Sequence, residues 1–286
     1  MSSDGRRTRL REILAGTACV TANSVFDPMS ARIGDDLGFE VALMGGSVAS
    51  LAVLGAPDIT LLTLTELAEQ ARRVCRASRL CVLVDADHGY GNALNVARTI
   101  EELAAAGVAG VTIEDTRLPA AFGEAGTQLI THEEGVGKMK AAMRAGRDSG
   151  IVVMGRTSAA TLTGVDDAIA RLQAYEQAGV DALFVPGLKT RAQLDAIAKA
   201  VKLPLVLAAC DRSLADRAYL AGRGVKVWMS GHQAFAAAVQ AMYSSMKAVR
   251  DGGAAGEAAP LASTDLMDRL TQAHAYTALR SDYGLK

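Results

Sequence analysis

The stretch Val82-Leu83-Val84-Asp85-Ala86-Asp87-His88-Gly89-Tyr90-Gly91 decides how this chain folds. It is an apolar run of strand character that ends in two carboxylates, Asp85 and Asp87, with a glycine-containing turn directly after them. Side chains two positions apart on a strand point to the same face, so both carboxylates lie on one side of the strand end. Buried carboxylates are unfavourable unless they are paired, hydrogen-bonded or bound to a cation. We therefore expect a metal site, and Mg²⁺ suits it because this ion prefers oxygen ligands and keeps part of its water.

The rest of the chain repeats this pattern, because short apolar runs alternate with longer amphipathic segments from end to end. The amphipathic segments repeat their apolar residues every three or four positions, as helices do. Apolar strands that alternate with helices predict a parallel sheet buried on both faces. The strand candidates are residues 18–22, 41–44, 81–84, 110–113, 151–154, 182–185, 205–208 and 225–229.

Eight such units that close on themselves form a (β/α)8 TIM barrel, which is the fold class we predict. The alternative is an open, doubly wound sheet, but Gly89-Tyr90-Gly91 lacks the third glycine of a dinucleotide-binding fingerprint. Residues 1–250 are predicted to form the catalytic barrel. Residues 251–286 begin with a glycine-rich linker and are predicted to add a C-terminal helix, over residues 263–280, that packs on the barrel or on a neighbouring subunit.

The composition excludes several classes of partner. The chain of 286 residues has a formal net charge of -1, and its basic residues are scattered, so we expect neither a nucleic acid nor a membrane as partner. Its 4 cysteines show no CxxC spacing. No apolar segment has the length of a membrane span, and none resembles a signal peptide. The composition therefore predicts a cytoplasmic protein with reduced thiols.

The active site of such a barrel lies where the strands end and the following loops begin. Three carboxylates, Asp85, Asp87 and Glu114, follow adjacent strand candidates. Their mutual repulsion raises their pKa values unless a cation lies between them. We expect one direct metal ligand and two that act through bound water. The alternative is that one or two of these carboxylates cap the next helix or pair with Arg156.

Other strand ends offer groups that can bind an anionic substrate. The backbone N–H groups of Gly46 and Ser47 can approach an anion closely. Arg156 can bind a carboxylate through two parallel hydrogen bonds. His232, after the last strand, can hydrogen-bond a second carboxylate or a carbonyl oxygen, or else cap the next helix. No lysine lies at a predicted strand end, which disfavours Schiff-base chemistry.

With these residues in place, the chain resembles the isocitrate lyase / phosphoenolpyruvate (PEP) mutase superfamily over nearly its whole length. Within the superfamily it is most similar to the bacterial oxaloacetate decarboxylase family. The matching segments are Ser24-Val25-Phe26-Asp27-Pro28-Met29-Ser30-Ala31-Arg32, Gly45-Gly46-Ser47-Val48-Ala49-Ser50, Asp85-Ala86-Asp87-His88-Gly89-Tyr90-Gly91-Asn92, Thr112-Ile113-Glu114-Asp115 and Ser230-Gly231-His232.

The resemblance implies a barrel whose eighth helix is swapped between subunits, which gives a homotetramer built as a dimer of dimers. It also implies Mg²⁺, with Mn²⁺ as a substitute, bound at Asp85, while Asp87 and Glu114 act largely through water.

The resemblance further implies a small 2-oxo or 2-hydroxy dicarboxylate as substrate. Family members bind it with the amides that match Gly46 and Ser47, with the metal, and with an arginine that matches Arg156. Asp58 matches an aspartate near the reacting group. His232 is assigned to orient the second carboxylate of the substrate.

Two departures from the superfamily pattern narrow the chemistry. Its lyases carry a Lys-Lys-Cys-Gly-His loop whose cysteine acts as the acid, but residues 118–124 contain no cysteine, so isocitrate or methylisocitrate cleavage is not expected. Cys210 stands where the decarboxylase family has a tyrosine, which alters the pocket wall. We predict Mg²⁺-dependent decarboxylation of oxaloacetate to pyruvate and CO2 through an enolate. The alternatives are a carbon–carbon lyase acting on a substituted malate or related 2-hydroxy acid, and a non-catalytic barrel.

Overall fold

The short apolar runs form the strands that the sequence predicts, and every paired strand runs parallel to its neighbour. A computed structural model describes residues 1–258 and 260–285 of the chain. Its strand segments are β1 (Val20–Thr21), β2 (Asn23–Ser24), β3 (Val41–Met44), β4 (Cys81–Asp85), β5 (Gly110–Glu114), β6 (Val152–Arg156), β7 (Ala182–Pro186), β8 (Leu205–Ala208) and β9 (Val225–Met229).

The sheet closes through its first strand, which is interrupted at Ala22. The strand order is β1-β9-β8-β7-β6-β5-β4-β3-β2, so the two ends of the order, β1 and β2, are consecutive in the chain. Between them, Ala22 donates its N–H to the carbonyl of Trp228 at 2.9 Å, and after them Val25 donates to Leu43 at 3.1 Å. One interrupted strand therefore joins β9 to β3, and the predicted (β/α)8 barrel is confirmed.

Helices follow the strands and begin at capping residues in the sequence. Thr63, Asn92 and Thr190 each accept a hydrogen bond from the third residue of the helix that follows, and the side chain of that residue reaches back. The helices of the barrel are α1 (Ser3–Ala15), α2 (Pro28–Asp36), α3 (Gly46–Leu54), α4 (Leu64–Ala77), α5 (Ala93–Ala105), α6 (His132–Gly146), α7 (Ala159–Leu162), α8 (Val165–Ala178), α9 (Arg191–Ala200) and α10 (Arg217–Gly222).

Successive side chains of each strand point to opposite faces of the sheet, and this alternation divides the apolar core into two layers. Leu43 and Leu83 belong to the apolar cluster inside the barrel, whereas Val82 and Val84 belong to the cluster between the strands and the outer helices. The inner cluster also contains Leu10, Ile13 and Leu14 of α1.

We did not predict α1 from the sequence, although it covers the N-terminal end of the barrel. Its arginines Arg6 and Arg7 are buried. Arg6 donates to the carbonyl of Ser78 at 3.0 Å, and Arg7 donates to those of Ala104 at 2.6 Å and Ser149 at 2.7 Å. These carbonyls lie at or near the ends of helices, where backbone acceptors lack partners within the helix.

The chain divides into two compact units, Met1–Gly231 and His232–Lys286. This division falls before the long helix of the second unit, whereas our predicted boundary lies after residue 250, and that boundary stays a prediction. The C-terminal segment is helical as predicted, but Gln272 adopts a left-handed conformation with φ 58° and divides it into two helices. The helices of this unit are α11 (Gln233–Arg250), α12 (Ala255–Ala258), α13 (Thr264–Thr271) and α14 (Ala273–Asp282).

Among the residues that the structure describes, no helix has both the length and the apolar character needed to cross a bilayer.

We predict that Leu10→Ala lowers the free energy of unfolding by about 2 to 5 kcal/mol, because the substitution leaves a cavity in the core. Leu10 is fully buried, and its side chain closes on Gly110, where an added Cβ would lie 2.9 Å from it. Urea unfolding followed by circular dichroism measures the change. Leu94→Ala is the matched control, since Leu94 is 82% exposed. Equal stability of the two variants would show that α1 does not close the barrel.

Candidate active site

The C-terminal ends of three adjacent strands bring charged side chains together. Asp85 is the last residue of β4, Glu114 the last of β5 and Arg156 the last of β6. Glu114 and Arg156 are also direct partners in the β5–β6 register. The strand-end rule that we applied to the sequence therefore locates these three residues together.

Arg156 lies between two of the carboxylates. Its guanidinium hydrogen-bonds Asp85, and its Nε is 2.8 Å from Oε2 of Glu114. The Nε and Oε2 atoms are buried but are not aligned for a hydrogen bond. Asp85 also accepts hydrogen bonds from the Thr112 hydroxyl at 3.1 Å and the Asp87 N–H at 3.3 Å. Asp85 and Glu114 thus show the pairing with Arg156 that the sequence left open as an alternative.

Asp87 differs, because no cationic side chain in the described residues pairs with its carboxylate. Its backbone is left-handed, with φ 47°. Its Oδ1 lies against the backbone of Gly46, so closely that a Cβ on that glycine would be 2.8 Å away. Burial, followed by the charges of Asp85 and Glu114, raises the pKa of Asp87 to about 8. Burial likewise raises the pKa of Glu114, although the charge of Arg156 opposes the rise.

Asp58 adds a fourth carboxylate from the loop between α3 and α4. Its side chain is exposed, yet partial desolvation and the charge of Asp85 raise its pKa. We call Asp58, Asp85, Asp87 and Glu114 the acidic cluster. Burial of Arg156 disfavours its charge, but its pKa is nevertheless raised because Asp85 and Glu114 favour the cation. Four carboxylates therefore share one guanidinium.

The acidic cluster fits a hydrated divalent cation better than a dehydrated one. Within residues 1–258 and 260–285, no three His, Cys, Asp or Glu side chains are grouped closely enough to hold a metal by themselves. Arg156 explains this for Asp85 and Glu114, because it lies between them. The unpaired carboxylate of Asp87 and the buried, unaligned Oε2 of Glu114 are oxygen donors that water can link to a cation.

The N-terminus of α3 lies directly beside the acidic cluster. Gly46 is its first residue, and Gly45 before it has no side chain that could cap the helix. The first N–H groups of a helix have no partner within the helix and favour an anion. The contact between Gly46 and Asp87 therefore places N–H groups that favour an anion next to a carboxylate that favours a cation. That the amides of Gly46 and Ser47 bind substrate stays a prediction.

Two further residues singled out in the sequence, Cys210 and His232, follow the last two strands, β8 and β9. His232 belongs to the second unit, where it precedes α11 without capping it through its side chain. Its contact with substrate stays a prediction. Cys210, after β8, is half-buried, and burial raises the pKa of its thiol.

Sequence reasoning missed several buried polar residues that support the site. Lys138 of α6 is buried and donates a hydrogen bond, at 2.9 Å, to the carbonyl of His88, the residue that follows Asp87. Asp115 is buried among residues of α8, which include Arg171 and Tyr175. Asp115 belongs to the strand-end segment Thr112-Ile113-Glu114-Asp115 singled out in the sequence, but nothing in the local sequence links it to a helix 60 residues away.

Cavity size alone does not locate the site. A cavity of about 550 Å³ lies at the opposite end of the barrel, beside Leu205 and Lys199. A smaller one of about 380 Å³ is lined by His88, Tyr90 and Leu61, among other residues, but by no carboxylate of the acidic cluster.

A closed parallel barrel with charged groups and a helix N-terminus at its C-terminal strand ends defines a class, that of the (β/α)8 enzymes that act on small anionic substrates. Residues 10–250 match the family model described as phosphoenolpyruvate phosphomutase. The chain belongs to this family, within the PEP mutase/isocitrate lyase superfamily, and the resemblance seen in the sequence is confirmed.

Relatives within the superfamily have different activities. The chain is 58% identical over 270 residues to a protein of Bradyrhizobium diazoefficiens named oxaloacetate decarboxylase, covering 94% of each. It is similar to a crystal structure of phosphonopyruvate hydrolase in complex with oxalate and Mg²⁺, with 30% identity, a TM-score of 0.87 and 99% of each chain covered. It is also similar to a crystal structure of 2,3-dimethylmalate lyase, with 27% identity, a TM-score of 0.87, and 100% of this chain and 96% of the other covered.

We predict that Arg156→Gln lowers the free energy of unfolding by about 3 kcal/mol, because it removes the guanidinium that pairs with buried carboxylates. The measurement is made in EDTA, so that no metal ion replaces the lost charge. Adding Glu114→Gln to this variant should restore part of the loss. Arg117→Gln is the control, since Arg117 forms an exposed ion pair with Glu124 at 2.9 Å. Exposed pairs contribute at most about 1 kcal/mol. Equal losses of unfolding free energy in Arg156→Gln and Arg117→Gln would show that Arg156 does not neutralise the buried carboxylates.

Proposed function

We propose that this protein is a carbon–carbon lyase that decarboxylates oxaloacetate to pyruvate and CO2. The observation that supports it most is the contact between Gly46 at the start of α3 and Asp87 of the acidic cluster. An anion-binding helix end beside a cation-binding carboxylate suits the 2-oxo carboxylate end of such a substrate. The relative named oxaloacetate decarboxylase, at 58% identity, supports the choice of substrate.

We propose Mg²⁺ as the cofactor, with Mn²⁺ as a substitute. Asp85 would bind it directly, while Asp87 and Glu114 would act largely through water. When bound, the cation supplies Lewis-acid chemistry, which polarises the 2-oxo group and stabilises negative charge on its oxygen. The excess of carboxylates over guanidinium groups in the acidic cluster supports this choice.

The residues of the chain would bind and orient the substrate. The N–H groups of Gly46 and Ser47 would hold its C1 carboxylate at the N-terminus of α3. Arg156 would stabilise the negative charge that develops at the 2-oxo oxygen, in an orientation fixed by Asp85 and Glu114.

Bond cleavage would then need orientation rather than a base. His232 would orient the C4 carboxylate. As the C3–C4 bond breaks, its electron pair enters the enolate and CO2 leaves. A proton is finally added at C3, from water or from a nearby acid. Asp58 is a candidate for that acid, because its raised pKa favours the protonated carboxyl group.

The alternative function is cleavage of a substituted malate or a related 2-hydroxy acid. It is favoured by the likeness to 2,3-dimethylmalate lyase. Such a retro-aldol reaction also forms an enolate, but it must begin with removal of the 2-hydroxyl proton by a base.

Assays with Mg²⁺ separate the two functions. Purified protein is given oxaloacetate or 2,3-dimethylmalate, and the products are quantified against Mg²⁺ alone. We expect pyruvate from oxaloacetate well above the metal-only rate, and loss of that excess in Asp85→Ala. No excess with oxaloacetate, together with release of a 2-oxo acid from the malate, would establish the alternative.

We predict that Gly46→Ala lowers kcat/KM for oxaloacetate by about 100-fold, because displacing a binding group by about 1 Å has effects of this size. The added methyl would lie 2.8 Å from Oδ1 of Asp87 and would force the carboxylate or the helix to move. Gly137→Ala is the matched control, since a Cβ there meets nothing within 4 Å. Steady-state kinetics and Mn²⁺ binding measure both variants. Unchanged kinetics in Gly46→Ala would show that this contact does not form part of the site.

We also propose a homotetramer, a dimer of dimers, in which α11 packs on a neighbouring subunit, and a cytoplasmic location. Within its own unit, α11 buries no residue. Apolar side chains three or four positions apart are exposed along one of its faces, as expected for a helix that another chain covers. They are Val239, Met242, Tyr243, Met246 and Val249.

We predict that Met242→Glu combined with Met246→Glu dissociates the oligomer, because two charges would enter an apolar contact. Light scattering coupled to size-exclusion chromatography measures the mass. Gln240→Glu combined with Ser244→Glu, on the opposite face of α11, is the control and should leave the mass unchanged. A wild-type monomer, or an unchanged mass in the methionine variant, would contradict the proposed assembly.

A further inference from the structure

A cluster of buried polar side chains lies behind the ion pair of Glu114 and Arg156. Asp115 follows Glu114 directly, is fully buried, and contacts α8. Its Oδ2 accepts hydrogen bonds from the Tyr175 hydroxyl at 2.7 Å and from the Arg171 guanidinium at 3.1 Å. Its Oδ1 is buried and has no hydrogen-bond partner within the described chain. An ionised carboxylate in such a position requires its partners.

Two glycines form the slot that holds Tyr175. A Cβ on Gly135 of α6 would lie 2.7 Å from the tyrosine hydroxyl oxygen, and a Cβ on Gly155 of β6 would lie 3.0 Å from its ring and its Cβ. Gly155 is the residue before Arg156. The side chain of Tyr175 thus contacts the backbone of β6 next to Arg156, while its hydroxyl binds the residue next to Glu114.

The same cluster holds both ends of the segment that connects β5 to α6. Arg171 donates to the carbonyl of Ile130 at 3.0 Å, and Ile130 donates its N–H to the carbonyl of Asp115 at 2.8 Å. Between these anchors, Thr116 and Leu129 form an antiparallel bridge. The base of this segment, residues 116–129, is therefore fixed to the cluster.

We propose that Asp115, Arg171 and Tyr175 form a positioning cluster, which holds Glu114 and Arg156 in the arrangement that decarboxylation needs and fixes the base of residues 116–129. The kinetic part of this proposal rests on the proposed function. Stability alone does not require these polar residues, because apolar residues of similar volume would stabilise the fold as well as a buried ion pair does. Their directional hydrogen bonds do what apolar packing does not, because they select one arrangement of the groups that they join.

Tyr175→Phe tests the proposal with the smallest change, because it removes one hydroxyl and keeps the ring. Tyr219→Phe is the matched control, since the Tyr219 hydroxyl also donates to an aspartate, Asp195, at 2.8 Å but lies on α10. We expect Tyr175→Phe to lower kcat about tenfold, the size typical for groups that orient a metal site or its ligands. KM should change little, because the interaction that the cluster positions, between Arg156 and the negative charge that develops on the substrate, strengthens in the transition state.

Deuterium exchange supplies a readout that does not depend on the substrate. The peptide of residues 115–131 contains the N–H groups that anchor the segment, so we expect it to exchange faster in Tyr175→Phe. Tyr219→Phe should change neither the kinetics nor this exchange. Circular dichroism at the assay temperature measures the folded fraction, which should equal that of the wild type.

Wild-type kcat or wild-type exchange in Tyr175→Phe would overturn the proposal. A fall in kcat that only matches a loss of folded protein would overturn it as well. If the wild type does not decarboxylate oxaloacetate, the proposed function fails, and the exchange comparison alone decides the positioning role. Faster exchange in Tyr175→Phe then supports that role, and equal exchange refutes it.

Discussion

The excess of negative charge at the C-terminal end of the barrel is the constraint on which the site depends. Arg156 contacts Asp85 and Glu114, but Asp87 has no such partner in the part of the chain that the structure describes, and burial with two like charges nearby raises its pKa to about 8. A carboxylate in this environment is stable only when a proton or a cation compensates it. The proposed reaction would use this property, because a cation that balances the site would also supply stabilisation for the negative charge of an enolate.

Parallel strands make this concentration of charge possible. The last residues of β4, β5 and β6 meet at one edge, as they do in any barrel of this kind. The chain then separates two kinds of polar group, since Glu114 joins the acidic cluster while Asp115 bonds to α8. Gly46 completes the site from helix α3, which follows the neighbouring strand β3, because only a residue without a side chain brings the start of α3 this close to Asp87.

The sequence was sufficient to predict the barrel and its strand-end residues, because apolar runs such as Val41–Met44 and Leu205–Ala208 are strong local signals. It could not decide whether Asp85 pairs with Arg156, since the order of strands shows which residues meet but not which atoms bond. The helix α1 was missed because its arginines bond to carbonyls far along the chain. The division of the C-terminal helix depends on the left-handed backbone of Gln272, which side-chain spacing does not encode.

The most direct test of the central claim is a crystal structure of the protein with Mn²⁺ and oxalate, a mimic of the enolate, in which anomalous scattering locates the metal. We predict one anomalous peak within bonding distance of the Asp85 carboxylate, with Asp87 and Glu114 linked to it through water. Oxalate should lie between that metal and the N–H groups of Gly46 and Ser47. A structure in which Mn²⁺ binds elsewhere, or in which oxalate binds without any metal at Asp85, would contradict the claim that the acidic cluster is a cation site.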